Sequence, residues 1–378
     1  MREQRVAGIR RLVDALNASR DESGEHVRAI LKISPEEWDA WLAAHPRARN
    51  LFTFRALIDE ASMQEEHEPQ VSLALSQFVL RHVDRLEPAP ELAMFLLFLR
   101  GDAWRVHASA LRYAGDLSGA LRAYETAAEV FRADPVALPE LVAAERAAAF
   151  TRHQLGESGE PQRIIRASFE VFAAHNHTAD LVRSLIFDGA IDFDEGRYED
   201  ARHAFTEAMR LAESLDDVVR IAALHTNLGH CAQLLGDREV AAHHLTRALH
   251  LYEQHGMIAA RPRALWGIAQ LAADEGFIDA AVAEMETIAV ELLEIGVPLD
   301  AAVARLDALE ILVMTGRNDR VAAAAADLVA MFTAGGMTRE ALRALAFVGE
   351  RAAAGALSSE VVDDARSILR RLSQASSS

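Results

Sequence analysis

Seven glycines set the frame of this chain. Gly115, Gly156, Gly196, Gly236, Gly276, Gly316 and Gly355 stand 41, 40, 40, 40, 40 and 39 residues apart in a sequence of 378 residues. A fixed period of this length means that one supersecondary unit recurs. A unit that cannot bury its apolar face alone must stack on its neighbours. Glycine suits a tight turn because it reaches positive φ at little steric cost. The spacing predicts seven helical hairpins over residues 90–372, each turning at one of these glycines.

Side chains keep the same register. Five residues after the glycines stand Ala120, Pro161, Ala201, Ala241, Ala281 and Val321. Nine after stand Tyr124, Ile165, Phe205, Leu245, Met285 and Ala325, and seven before stand Ala108, Ala149, Gly189, Gly229, Ala269 and Leu309. Small residues where two backbones approach, with a larger apolar one to fill the gap, are what paired antiparallel helices need. Apolar residues recur at helical spacing, as in Leu245, Ala248, Leu249 and Tyr252, and no stretch alternates in the manner of a strand.

Three segments carry a resemblance. These are Asn227-Leu228-Gly229 … Leu235-Gly236-Asp237 … Ala241 … Leu245 … Ala248, then Gly196-Arg197-Tyr198 … Ala201 … Phe205 … Ala208, and Trp104 … Ala108 … Gly115-Asp116 … Ala120 … Tyr124 … Ala127 … Pro135. They resemble tetratricopeptide repeats. The common repeat has 34 residues, so this spacing resembles the long-helix variant, of about 40 residues, found in bacterial signalling regulators. The resemblance implies an all-α, right-handed α-solenoid of stacked antiparallel helix pairs. It is weak at Gly156, where Pro161 replaces the small alanine, and weakest at Gly355, where Asp364 takes the large apolar place. That last hairpin reads as a cap with a polar outer face, and Ser376–Ser378 as a frayed end.

Three segments are expected along the chain: residues 1–46, a small helical piece; 47–90, a degenerate first helix pair; and 91–378, the solenoid with its capping helices. The first pair is placed at about 49–62 and 69–86, with Ala74 and Phe78 in register and Pro88 and Pro90 breaking the helix. Ser34-Pro35-Glu36-Glu37 is a helix start, with Ser34 as cap and Glu37 closing a capping box. Trp38 and Trp41, three apart, either dock this piece onto the first pair or form a partner surface.

Composition narrows the function. A net charge of −18 is the wrong sign for a phosphate backbone, and residues 1–46 hold no convincing helix-turn-helix. Lys32 is the only lysine, in Leu-Lys-Ile, which excludes a P-loop and a kinase lysine. Arginine-rich, alanine-rich usage points to a GC-rich bacterial genome. Cys231 is the only cysteine, so no intrachain disulfide and no cysteine metal cluster forms. Beside Gly229 it reads as a buried thiol rather than a redox sensor. Dinucleotide, zinc-protease and nucleophile-elbow motifs are missing, and Asp192, Asp194 and Glu195 lack the order of a calcium loop. His225, His230, His243, His244, His250 and His255 crowd one repeat, but spacings of five and seven do not make a helical metal pair. Convergence between two helices stays open. No cofactor, no metal and no catalytic residue is expected. With no signal peptide at Met1 to Asp14 and only eight residues in the most apolar run, Leu92 to Leu99, the expected location is the cytoplasm.

The resemblance implies that the first helix of each pair lines a concave face. That register places Arg105, Ser109, Arg112 and Tyr113 there, then Arg146, Phe150 and His153, and Arg183, Ile186, Phe187 and Phe193. Thr226, Asn227, His230 and Gln233 follow, and then Arg263, Trp266 and Gln270. Arg105, Arg112, Arg146 and Arg183, with Asp102 and Asp194, fall in the first three repeats; Arg263, with Asp274, Asp307 and Glu310, falls in the last three. Such polarity suits an acidic or carboxylate-bearing partner segment at the basic end, with genome-driven arginine as the competing explanation. Asn227 followed by Arg263 resembles part of the carboxylate clamp of chaperone-binding repeats, but Ile186, Ala190 and Gly267 occupy the other places. A true clamp is not expected. Asn227 can still hold a peptide backbone, while Trp266 with Phe187 or Phe193 offers apolar pockets. The reading is a protein- or peptide-binding scaffold, not an enzyme, in which a homo-oligomer is possible. The alternative is a ligand- or peptide-sensing regulator of a transcription, signalling or defence component.

Overall fold

The computed structural model describes residues 22–65, 68–87, 90–258, 260–294, 298–334 and 339–375. Pro88, Ser376–Ser378 and residues 1–21 lie outside them. The described chain is helical throughout, with no strand among the described residues. Two compact units divide at Leu155 and Gly156.

In the first unit, Leu51–Gln64 pairs with Pro69–Val83, and Ala93–Tyr113 pairs with Leu117–Phe131 before Leu138–Gln154 follows. In the second, Thr178–Asp194 pairs with Tyr198–Ser214, Val218–Leu234 with Arg238–Gln254, and Arg261–Asp274 with Ile278–Glu294. Glu160–Ala174, which packs on Thr178–Asp194, precedes these pairs, and Pro298–Met314 with Asn318–Ala334 and Arg339–Ala353 with Ser359–Ala375 complete the unit. Consecutive helices pack on each other within each unit, the all-α arrangement of stacked pairs that the period predicted. The unit boundary falls in the turn at Gly156, the position where Pro161 already departed from the repeat.

All seven periodic glycines sit at the turns with positive φ, from +65° at Gly355 to +93° at Gly276. A second series of positive-φ turns shares the period. Asn176, Asp216 and Gly256, again 40 apart, have φ of +58°, +51° and +66° where one hairpin joins the next. Asn and Asp tolerate this conformation better than other side chains, so a search for glycine alone passes over them.

The register of small and large residues is a set of knobs and holes. A Cβ on Gly229 would stand 2.6 Å from Leu245 Cγ, and one on Gly189 would stand 2.7 Å from Phe205 Cε1. Phe205 and Leu245 are both buried. These two hairpins thus close on one large side chain set against a bare backbone.

At the start of the first unit, Trp38 is buried and its indole N–H donates to the Ile30 carbonyl at 3.0 Å. Its ring meets Phe78 edge-on, with centroids 5.5 Å apart. Phe54, Phe78 and Leu99 share that core. Trp38 therefore docks, while Trp41 stays half-buried and stacks on His45. Pro35–Glu37 form a single 3-10 turn, with the Ser34 N–H donating to Glu37, and the α-helix proper begins at Trp38. No helix among the described residues is long and apolar enough to cross a membrane.

Candidate binding surface

In the first unit the helix Ala93–Tyr113 carries four of the expected residues, of which Ser109 is buried and donates to Glu65 at 2.6 Å. Arg105 lies beside Asp102 of the same helix at 3.3 Å, and Asp102 also receives Arg55 at 2.5 Å. That arginine is partly neutralised before any partner arrives. Arg112 lies over the exposed ring of Tyr113, 4.2 Å from its centroid, and 5.9 Å from that of Phe150. Phe150 in turn stacks on His153, with centroids 6.3 Å apart. Arg112, Tyr113, Phe150 and His153 therefore form one cation–aromatic patch, to which both Ala93–Tyr113 and Leu138–Gln154 contribute. The half-buried Arg112 guanidinium also hydrogen-bonds the Tyr113 and Tyr124 side chains, so part of its N–H edge is taken up before any carboxylate arrives. Arg146 is 4% exposed, so a charge change there would test folding before binding.

In the second unit Arg183 leans on Asp180 at 3.5 Å, and Phe187 is half-buried. Phe193 packs edge-on against Tyr198. Asn227 is half-buried on Val218–Leu234, and among the described residues its amide makes no hydrogen bond. Arg263 is well exposed, 4.0 Å from Asp300. His230 lies where a Cβ on Gly267 would come within 2.9 Å of its Cε1. Burial, with Arg263 nearby, holds His230 below the usual imidazole range. Gly267, which broke the resemblance to a clamp, is thus filled by His230 and Leu245. The Trp266 indole N–H donates to Asp307 Oδ2 at 2.9 Å, and the Gln270 amide donates to the same oxygen at 3.0 Å.

The candidates for chemistry are absorbed into structure. Asp192 and Asp188 accept hydrogen bonds from Gln162 and Arg166, and Asp192 also from Arg197. Cys231 is fully buried and its thiol is pushed up to about 12, by burial above all. The histidines converge across a hairpin: His225 Nδ1 and His244 Nδ1 are 2.8 Å apart, as a hydrogen bond between two neutral imidazoles requires. Among the described residues no group of three or more His, Cys, Asp or Glu is placed to hold a metal. Open depressions lie on second helices, one lined by His243, Thr246, Arg247 and His250 and another by Glu199, Arg202, His203 and Thr206.

The tetratricopeptide repeat family model matches residues 189–254, two of the hairpins described above. No curated protein matches the sequence. Among solved structures, a signal transduction ATPase with numerous domains from Pyrococcus horikoshii, with a tetratricopeptide repeat sensor, is similar at 13% identity. That alignment covers 93% of this chain and 55% of the other, with a TM-score of 0.59. The apo form of RapI is similar over 95% of this chain and 98% of its own, at 14% identity and a TM-score of 0.52. A Rap protein complexed with Competence and Sporulation Factor aligns over 84% of this chain and all of its own, at 14% and 0.51. At such identities the likeness is one of fold.

Proposed function

For a chain that carries tetratricopeptide repeats, we propose the role of a non-enzymatic scaffold or adaptor. It binds a protein or peptide along the face of its first helices, the concave face of such arrays. The observation that carries this reading is Asn227. It is a half-buried amide on the first helix of a matched repeat, with both its donors and its acceptor unused by the described protein. A peptide backbone in extended form offers the complementary groups. The cation–aromatic patch around Arg112 supports a second contact, with an acidic or carboxylate-bearing segment. A neighbour of this fold complexed with Competence and Sporulation Factor supports ligand binding by this architecture. Net charge of −18 makes nucleic acid a poor partner, and a cytoplasmic place suits the reading.

A sensing role is the second reading. It is favoured by the likeness to a protein whose repeats form a sensor. There, a bound peptide or ligand would change what an attached or separate effector does.

The test begins with capture of the partner from the native host, followed by Asn227→Ala and Arg112→Glu. Charge reversal at a true contact should weaken binding by about 2 kcal/mol, roughly 30-fold, with helicity unchanged. Undiminished binding of both variants at low salt would refute the reading.

A further inference from the structure

The last described helix, Ser359–Ala375, departs from the pattern that the earlier hairpins keep. It packs on its own partner Arg339–Ala353, but also back on Pro298–Met314, the first helix of the preceding hairpin. No other second helix of this unit packs back to a comparable extent among the described residues. Two local causes are visible. The turn runs over residues 354–358, against three residues at Gly196, Gly236, Gly276 and Gly316. Asp364, standing where other repeats set a large apolar knob, is exposed, and Val362, Ala365 and Leu369 are buried instead.

This placement carries Arg366 onto the first-helix face. Its Nη2 lies 2.8 Å from Asp307 Oδ1 and also bonds Glu310, while Nη1 bonds Asp363 of its own helix. The other Asp307 oxygen is held by Trp266 and Gln270. Trp266, Gln270, Asp307 and Glu310 are all lining positions of the repeat register. Two carboxylates of that face thus hold one guanidinium, whose side chain is only 15% exposed, while an indole and an amide hold the first carboxylate in place.

The cradle is not matched by its occupant. Three carboxylates, Asp307, Glu310 and Asp363, meet a single arginine, and the Arg366 Nε is buried without a partner. Buried ion pairs hold register more than they stabilise, because desolvation offsets the Coulomb gain. An occupant with more positive charge, or without its own acid beside the arginine, would satisfy the site better.

We propose that Asp307, Glu310, Trp266 and Gln270 form a binding site for the arginine of an amphipathic helical segment of a partner, and that Ser359–Ala375 occupies it until displaced. The segment would carry apolar residues at the spacing of Val362, Ala365 and Leu369, with arginine beside Ala365. This rests on the reading that the first-helix face binds partners.

The probe is a fluorescent peptide of residues 359–375, titrated against the full chain. Arg366→Ala in the chain should free the cradle and raise the affinity for the peptide at least tenfold over wild type. Asp307→Asn with Glu310→Gln, added to that chain, should abolish the gain. A peptide with Asp363→Arg should bind more tightly than the native peptide. Hydrogen exchange guards against a chain that merely unfolds: excess Asp363→Arg peptide should speed exchange in residues 359–375 of the wild-type chain and leave 178–254 protected. Equal affinity of all chains for all peptides, or unchanged exchange, would overturn the proposal. In that case partner capture sensitive to Asn227→Ala would still leave the scaffold reading standing, so the two failures are separable.

Discussion

Gly229→Ala adds one methyl group and should destabilise the protein. A Cβ there would lie 2.6 Å from Leu245 Cγ, 2.9 Å from Leu245 Cδ2 and 3.3 Å from the Leu245 backbone nitrogen. Leu245 cannot swing aside, because its other side fills the hole at Gly267, where a Cβ would meet Cδ1 at 2.8 Å. The helix Arg238–Gln254 must shift as a body. Overpacking of this kind costs about 1–3 kcal/mol, and the better helix propensity of alanine returns at most about 1 kcal/mol. With the full return the net loss is about 0–2 kcal/mol, and for a unit of this size each kcal/mol lowers the melting midpoint by roughly 2–4 °C. Gly24→Ala supplies the contrast. There a Cβ meets only the far end of Arg28, at 3.7 Å, so the same substitution should stabilise by up to about 1 kcal/mol. Thermal melts followed by circular dichroism at 222 nm compare the two. Leu245→Ala in the Gly229→Ala background should cost less than the sum of the single changes, since it removes the clash. A Gly229→Ala chain that melts above the wild type would refute the knob-and-hole register.

Acid should act on the His225–His244 pair. Burial, then His244, Arg247 and His243, push His225 down to about 4. A histidine depressed in the fold contributes stability that is fully present above its unfolded value of about 6.5 and lost as pH falls towards 4. Urea midpoints should therefore drop across that window, and His225→Gln should flatten the drop. Cys231 should resist iodoacetamide at pH 8 until the chain is denatured, as a buried thiol pushed up to about 12 requires; modification of the native protein within minutes would contradict its burial. Dialysis against a chelator should leave the melting midpoint unchanged, and elemental analysis should find no stoichiometric zinc. One zinc per chain would turn attention to His225 and His244.

Where the chain was legible, one physical rule covered many residues. Tight turns need positive φ and close helices need missing side chains, so Gly196, Gly236, Gly189 and Gly229 announced both turn and interface. The hairpin-joining turns were hidden because Asn176 and Asp216 meet the same backbone demand with different side chains. Spacing along a single helix leaves histidine convergence open; His225 and His244 lie on opposite sides of the Gly236 turn and meet across the hairpin. Charge was legible only as position. The sequence places Arg105 and Arg183 on the first-helix face, but Asp102 and Asp180 beside them take up part of that charge. Arg366 was invisible as a member of the surface because it belongs to a second helix that packs out of pattern. The one hint was Asp364, an acid where the repeat wants an apolar knob.

Site-specific photo-crosslinking tests the central claim most directly. A photoreactive residue in place of Tyr113 or Asn227 reports on the first-helix face, and one in place of Thr246 reports on the second helices. In extracts of the native host, the account predicts a discrete crosslinked partner from positions 113 and 227 and none from 246. Capture from 246 alone would place the binding surface on the opposite face of the hairpins and contradict the account.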